Sequence, residues 1–156
     1  MQDKHQAVER MINSRIAFLA SFHELSKEEI NNLLLDGTWT VKDLIGHISA
    51  WDKTLLDPLI TYLENGDFSP EHIPNHDAWN AVQIEMRKHR PLDEIRDEAI
   101  SVRKELLAAT ERLSDLQWME AFPAPWGGIE TFAQMIDGLA WHEEEHANST
   151  LARFKK

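Results

Sequence analysis

Two histidines lie one helical turn apart near the end of the sequence, His142 and His146 in Trp-His-Glu-Glu-Glu-His. Residues at i and i+4 share one face of a helix, with Cβ atoms about 5–6 Å apart, so the two imidazoles can bind one metal ion. A third histidine, His47, falls on the apolar stripe of another helical segment, beside Ile48 and Trp51. Burying imidazoles without partners would cost about 1–3 kcal/mol for each one. A shared divalent ion removes that cost, so the three histidines predict a metal site in a bundle core.

Hydrogen-bonded core histidines without any metal are the main alternative to this site. The segment from His142 to His146 also matches the His-Glu-x-x-His pattern of zinc metalloproteases, in which the glutamate is the general base. Such proteases usually take a third ligand downstream, and no His, Asp or Glu follows His146. Glu143 also points about 100° away from the two histidines on a helix. A protease is therefore disfavoured.

The elements that must position these residues are helices, because hydrophobic periodicity predicts helix along the chain and no strand. The predicted helices cover about residues 3–24, a short segment from a Ser26 capping box to Asp36-Gly37, about 41–64, about 77–113 and about 131–151. Pro58 is expected to kink or split the second long helix, and Pro91 to bend or interrupt the third. Residues 65–76 and about 120–130 are predicted connections. This pattern indicates an all-α four-helix bundle, one domain over residues 1–156.

The composition excludes several classes of protein. A formal net charge of −11 without a strong basic patch argues against a nucleic-acid partner. The densest positive group, Arg87, Lys88 and Arg90, is interpreted as a solvated helix face. No apolar run is long enough for a membrane span and no signal peptide is evident, so a cytoplasmic location is expected. Because there is no cysteine, a transition metal must be held by His, Asp or Glu.

The three histidines belong to a longer sequence pattern. The stretch Trp39-Thr-Val-Lys-Asp43-Leu-Ile-Gly-His47-Ile-Ser-Ala-Trp51, followed by His142-x-x-x-His146, resembles the DinB/YfiT-like superfamily of metal-binding bundle proteins. The resemblance implies an up-down-down-up bundle with a long crossover between helices two and three. It also implies that His47, His142 and His146 are the metal ligands, and that the protein is a homodimer.

Three neutral imidazoles would leave a divalent ion its full charge and an open position. Such an ion lowers the pKa of bound water toward about 7 or binds a thiolate. Zinc and nickel are the expected metals, and iron or manganese also fit imidazole ligands. The resemblance implies two activities on small molecules: transfer of a low-molecular-weight thiol, as in mycothiol-dependent isomerases and bacillithiol transferases, and hydrolysis, as in colibactin self-resistance proteins. The alternative is a non-catalytic bundle, metal-stapled or metal-free, with a binding or stress-response role.

Tryptophans could form the substrate pocket above the metal. The candidates are Trp51 and Trp79, with Trp126 and Trp141, although each of them could instead simply pack the core. Asp43, one turn before His47, could orient the free ring nitrogen of that histidine, but helix capping is slightly favoured.

The remaining histidines are expected at the surface. His5 and His23 lie near the ends of the first helix, and His89 lies in a charged stretch. His72 and His76 could approach the metal as part of a lid, but exposed loop residues are the favoured interpretation.

Overall fold

The structure, a computed structural model, describes residues 3–155; residues 1, 2 and 156 of the predicted single domain lie outside the described residues. Its elements, in chain order, are α1 (Lys4–Ala20), α2 (Lys27–Asn32), α3 (Val41–Asn65), α4 (His76–Arg87), α5 (Leu92–Glu111), α6 (Asp115–Trp118), β1 (Ala121–Pro123), β2 (Ile129–Thr131) and α7 (Phe132–Phe154). The protein is therefore mostly helical, as predicted. Among the described residues, no helix is both long and apolar enough to cross a bilayer.

Local capping chemistry sets the starts of the helices that carry the candidate site. The hydroxyl of Thr40 accepts from the backbone N–H of Asp43 at 3.1 Å, and the Asp43 carboxylate accepts from the Thr40 N–H at 3.0 Å. Thr131 and Gln134 form the equivalent capping box at the start of α7. At its other end α3 stops at Gly66, whose φ of 80° lies in the left-handed region that favours glycine. The predicted limits of α3 are confirmed.

Pro58 does not split α3, contrary to one of the two predicted outcomes. A proline inside a helix costs about 3 kcal/mol or more. The flanking Leu55, Leu56 and Leu59 are all buried. Since burying a leucine contributes about 1.5–3 kcal/mol, packing on both sides of the proline offsets its cost. Pro91, by contrast, does separate two helices, and it stands as the residue before α5.

The short second helix ends earlier than predicted. α2 stops at Asn32, and the chain then turns sharply instead of continuing to Asp36. Leu34 pairs with Thr40 in an isolated antiparallel bridge, and the Leu35 N–H donates to the Trp39 carbonyl at 2.7 Å. Gly37, with a φ of 100°, allows the chain to reverse between them. This turn brings Trp39 against His47, with ring centroids 4.7 Å apart.

The prediction of no strand is wrong at one place. β1 and β2 form an antiparallel hairpin within the predicted 120–130 connection. Three residues per strand are too few for an alternating pattern to stand out in the sequence. Gly127 and Gly128 carry φ values of 106° and 82°, which close the turn between the strands. The turn between the strands carries Trp126.

The long helices pack in two pairs. α1 lies along α7, and α3 lies along α5, while α4 crosses α3. Buried apolar side chains form two clusters between them, one around Leu55, Leu106 and Phe132 and the other around Phe18 and Ile95. α3 contributes to both clusters, so the segment that carries His47 is held by packing on several sides.

Candidate metal centre

Two helices bring the three predicted histidines together. His47 lies on α3 and is almost fully buried, whereas His142 and His146 lie on α7 and are partly buried. The Nε2 atom of His142 is 3.0 Å from Nε2 of His47 and 3.0 Å from Nε2 of His146. The three imidazoles therefore point the same type of nitrogen at one common centre.

The protons of neutral imidazoles cannot satisfy this arrangement. A ring nitrogen takes part in one well-directed hydrogen bond, as donor or acceptor, but Nε2 of His142 faces two other ring nitrogens. A cation between three lone pairs satisfies all of them at once. Tetrahedral zinc with bonds of about 2.0–2.1 Å places ligand nitrogens about 3.3–3.4 Å apart, within a few tenths of an ångström of the observed spacing. The donor set fits a divalent transition metal.

Burial keeps these imidazoles in the neutral form that binds metal. Desolvation, helped by the neighbouring His142 and His146, lowers the pKa of His47 to about 2. Desolvation also lowers the pKa of His142 to about 4, with a further contribution from the Arg103 charge. The pKa of His146 falls to about 4 for the same first reason, although Glu143 opposes the shift. At neutral pH all three imidazoles are therefore unprotonated, which metal binding requires.

The three histidines lie at the wall of a cavity of about 420 Å³. Tryptophans supply much of the remaining wall: Trp39 from the turn after α2, Trp51 from α3, Trp126 from the hairpin and Trp141 from α7. Trp79, which the sequence proposes beside Trp51, is not among the residues that line the cavity. It packs on Trp51 with ring centroids 4.5 Å apart and so supports the wall.

Two polar residues of α4, His76 and Asn80, also line the cavity, together with Gly138 and Leu139 of α7. Asn80 accepts a hydrogen bond from the Trp51 indole at 2.8 Å, and His76 Nε2 lies 3.1 Å from the Trp126 carbonyl. His76 is solvent-exposed as expected, but it also lines the cavity, which the sequence interpretation did not favour. The i, i+4 spacing of these two residues was the available indication that they share a face.

The comparisons with known proteins agree with this architecture. The sequence profile of the DinB superfamily matches residues 11–149. The chain belongs to the DinB superfamily. No curated protein sequence matches it.

Among solved structures, this DinB-superfamily chain is similar to the mycothiol-dependent maleylpyruvate isomerase, with a TM-score of 0.72 and 17% sequence identity. The superposition covers 96% of this chain and 63% of the isomerase, so this chain spans less than two thirds of that enzyme. The crystal structure of a histidine-to-alanine variant of the isomerase gives the same values. At this identity the likeness shows a shared fold.

A second polar cluster in this DinB-superfamily protein was missed in the sequence. Glu143 is fully buried, and its carboxylate pairs with Arg103 at 2.6 Å and with Arg15. Arg103 also pairs with Asp52 at 2.9 Å, and Arg15 lies 3.6 Å from the same carboxylate. Two arginines and two carboxylates therefore balance their charges between α1, α3, α5 and α7. The sequence does carry an indication, since Glu143 continues the apolar stripe of Ile136 and Ala140.

Asp43 and the four remaining histidines lie outside the cavity. Asp43 caps α3 and makes no hydrogen bond with His47, whose Nδ1 is buried without a hydrogen-bond partner among the described residues. His5, His23, His72 and His89 are exposed.

The interpretation of the basic group Arg87, Lys88 and Arg90 as a solvated helix face is wrong at Arg87. Its guanidinium bonds Glu98 at 2.8 Å and is only slightly exposed, because Gly46 leaves room for the side chain to cross α3.

Proposed function

We propose that this protein is a metal-dependent enzyme that acts on a small molecule at His47, His142 and His146, by thiol transfer or by hydrolysis. One observation carries the proposal: three convergent imidazoles face a cavity large enough for a ligand, and the described residues offer no fourth His, Cys, Asp or Glu to the group. Structural zinc sites are closed by four protein ligands, whereas catalytic sites keep a position open. The arrangement favours catalysis over a metal that only staples the bundle.

Thiol transfer is the activity that we place first. The similar solved enzyme is named as mycothiol-dependent, and a low-molecular-weight thiol is a reactant that a cavity of about 420 Å³ can admit. A divalent ion held by three imidazoles would lower the pKa of a bound thiol or water. Either molecule would then be deprotonated, and so nucleophilic, at neutral pH.

The residues of the chain perform the remaining tasks. Burial holds the three imidazoles in their neutral, ligating form, as their lowered pKa values indicate. The tryptophan walls exclude water from the reacting groups, and Asn80 and His76 can orient a polar group of the substrate. Zinc or nickel is the metal that we propose, with iron or manganese as alternatives.

Further features of the protein belong to the same proposal. We propose that the four long helices, α1, α3, α5 and α7, run up-down-down-up, with the crossover formed by residues 66–91, which include α4. We also propose that the protein is a cytoplasmic homodimer without a nucleic-acid or membrane partner.

Metal content and a reaction panel test the proposal together. Protein purified without chelators should contain about one equivalent of a divalent transition metal, and His47→Ala should lose it. The metal-loaded protein should then consume mycothiol, bacillithiol or glutathione in the presence of electrophilic acceptors, or hydrolyse amide and ester acceptors without thiol. Metal without any activity over the panel would favour the stapled bundle. Absence of metal, with no rise in melting temperature on adding zinc or nickel, would overturn both.

A further inference from the structure

We infer that the cavity selects flat, apolar and uncharged substrates and rejects those that carry several carboxylates. The inference rests on the proposed function, because the cavity is that of the proposed site. It concerns the tryptophans and the α4 residues of the cavity wall and not the three histidines. It names the class of acceptor that would meet the reacting group.

Two of the lining tryptophans, Trp51 and Trp126, have their indole N–H groups already engaged within the chain. The Trp51 indole N–H is used by Asn80 at 2.8 Å, and the Trp126 N–H lies 3.3 Å from both carboxylate oxygens of Glu130. Aromatic faces contribute large apolar contact areas and favour other flat π-systems. The two rings stand 6.5 Å apart between centroids and are inclined by 58°, so they pack against each other and form one continuous aromatic part of the wall.

Positive side chains are missing from the lining, which contains no Lys or Arg among the described residues. Three arginines of the bundle with low exposure already pair with carboxylates: Arg103 and Arg15 with the buried Asp52 and Glu143, and Arg87 with Glu98. The formal net charge of −11 adds no attraction for anions. A metal ion could balance one negative group, but a second carboxylate would be desolvated without a partner.

The polar groups that do line the cavity suit a neutral partner. Because the Trp126 carbonyl can only accept, Nε2 of His76 is the donor in their 3.1 Å contact, which leaves Nδ1 as an acceptor when the ring is neutral. Asn80 accepts through Oδ1, which leaves its amide N–H groups as donors. One donor and one acceptor on the same face of α4 match a carboxamide or a similar uncharged group.

Three matched compounds test this inference without requiring metal: 2-naphthamide, 2-naphthoate and naphthalene-2,6-dicarboxylate. We would measure their binding to the full chain by calorimetry, once after chelator treatment and once with zinc. In the chelated protein the amide should bind about tenfold or more tightly than the dicarboxylate, the scale expected for a carboxylate left unpaired. Equal or tighter binding of the dicarboxylate, or no binding of the amide, would overturn the inference.

A gain-of-charge variant sharpens the test. Asn80→Arg should raise the affinity for the dicarboxylate by about tenfold or more, since it adds the missing cation to the lining. Ala81→Arg is the matched control, because the neighbouring exposed residue adds the same charge outside the cavity. An equal gain in both variants would mean that overall charge, and not the cavity, governs selection.

The two proposals fail separately. Absence of zinc binding with amide binding intact would remove the proposed metal chemistry but leave the selection. Zinc binding together with a preference for the dicarboxylate would leave the proposed metal chemistry in place but overturn the selection of uncharged substrates. If Asn80→Arg did not fold, the three compounds on the unaltered protein would still decide.

Discussion

Two polar clusters lie inside this bundle, both include residues of α3 and α7, and they differ in how far other residues of the chain satisfy their polar groups. α3 carries both His47 and Asp52, and α7 carries both His142 and Glu143. Around Asp52 and Glu143 every carboxylate meets an arginine, and the charges balance. Around the histidines, lone pairs converge without enough protons to pair them.

The difference separates a structural cluster from a binding site. The ion network balances its charges within the chain, although Nη2 of Arg15 has no hydrogen-bond partner among the described residues. A buried group of imidazoles with too few donors for its acceptors is incomplete within the chain, and a cation from solution can complete it. Burial of polar side chains does not distinguish the two clusters, because both are buried. Whether the buried polar groups find partners within the chain is therefore the more informative property.

The largest effect should follow from breaking the charge-balanced cluster around Asp52 and Glu143. Glu143→Ala leaves Arg103 and Arg15 buried with a single carboxylate between them, so the free energy of unfolding should fall by about 3–5 kcal/mol. Urea denaturation measures this change. Glu145→Ala, at an exposed position of the same helix, is the matched control and should change stability by less than about 0.5 kcal/mol. A similarly small loss for Glu143→Ala would mean that the network does not hold the helices together.

The incomplete cluster should instead gain stability from a ligand. Free zinc at about 100 times its dissociation constant should stabilise the protein by about 2.7 kcal/mol, which for this length raises the melting temperature by about 5–10 °C. Thermal denaturation followed by circular dichroism would detect the shift. His47→Ala should abolish it, and His89→Ala, which changes an exposed histidine, should retain it. An unchanged shift in His47→Ala would place the zinc elsewhere.

The next prediction concerns the loss of stability in acid, which should arise at the histidine cluster because the pKa values of its imidazoles are lowered. The unfolded imidazoles have a pKa near 6.5, whereas the folded values are about 4 for His142 and His146 and about 2 for His47. Below pH 6.5 the unfolded chain therefore binds protons that the folded chain excludes, so stability is present above this pH and is lost as the pH falls toward 4.

The loss should amount to about 1 kcal/mol for each imidazole between pH 6.5 and 5.5. Denaturation curves of the chelator-treated protein at a series of pH values would give it. His47→Gln should flatten the decline, and His23→Gln, at an exposed position, should leave it unchanged. A stability that stays constant from pH 6.5 to 5 would contradict the burial of neutral imidazoles.

The sequence predicts one of these clusters better than the other for a physical reason. Histidines at i and i+4 and on an apolar stripe are recognisable from local spacing alone. The pairing of Glu143 with Arg103 joins distant segments, and nothing in the local pattern identifies the partner. His76 and Asn80 depend on a tertiary contact too, because the loop before them is held by a hydrogen bond between the Ile73 N–H and the Pro125 carbonyl.

The smallest effect is expected at Asp43, which caps α3 one turn before His47. Asp43→Ala removes half of the capping box and should cost about 0.5–1 kcal/mol of stability. Zinc affinity should stay the same, because the Asp43 carboxylate bonds the Thr40 N–H and not the imidazole. Thr40→Ala removes the other half and should behave alike in both measurements. A tenfold loss of zinc affinity in Asp43→Ala alone would instead make Asp43 a positioning residue for His47. The histidine cluster would then depend on a carboxylate as well, and the contrast with the charge-balanced cluster would narrow.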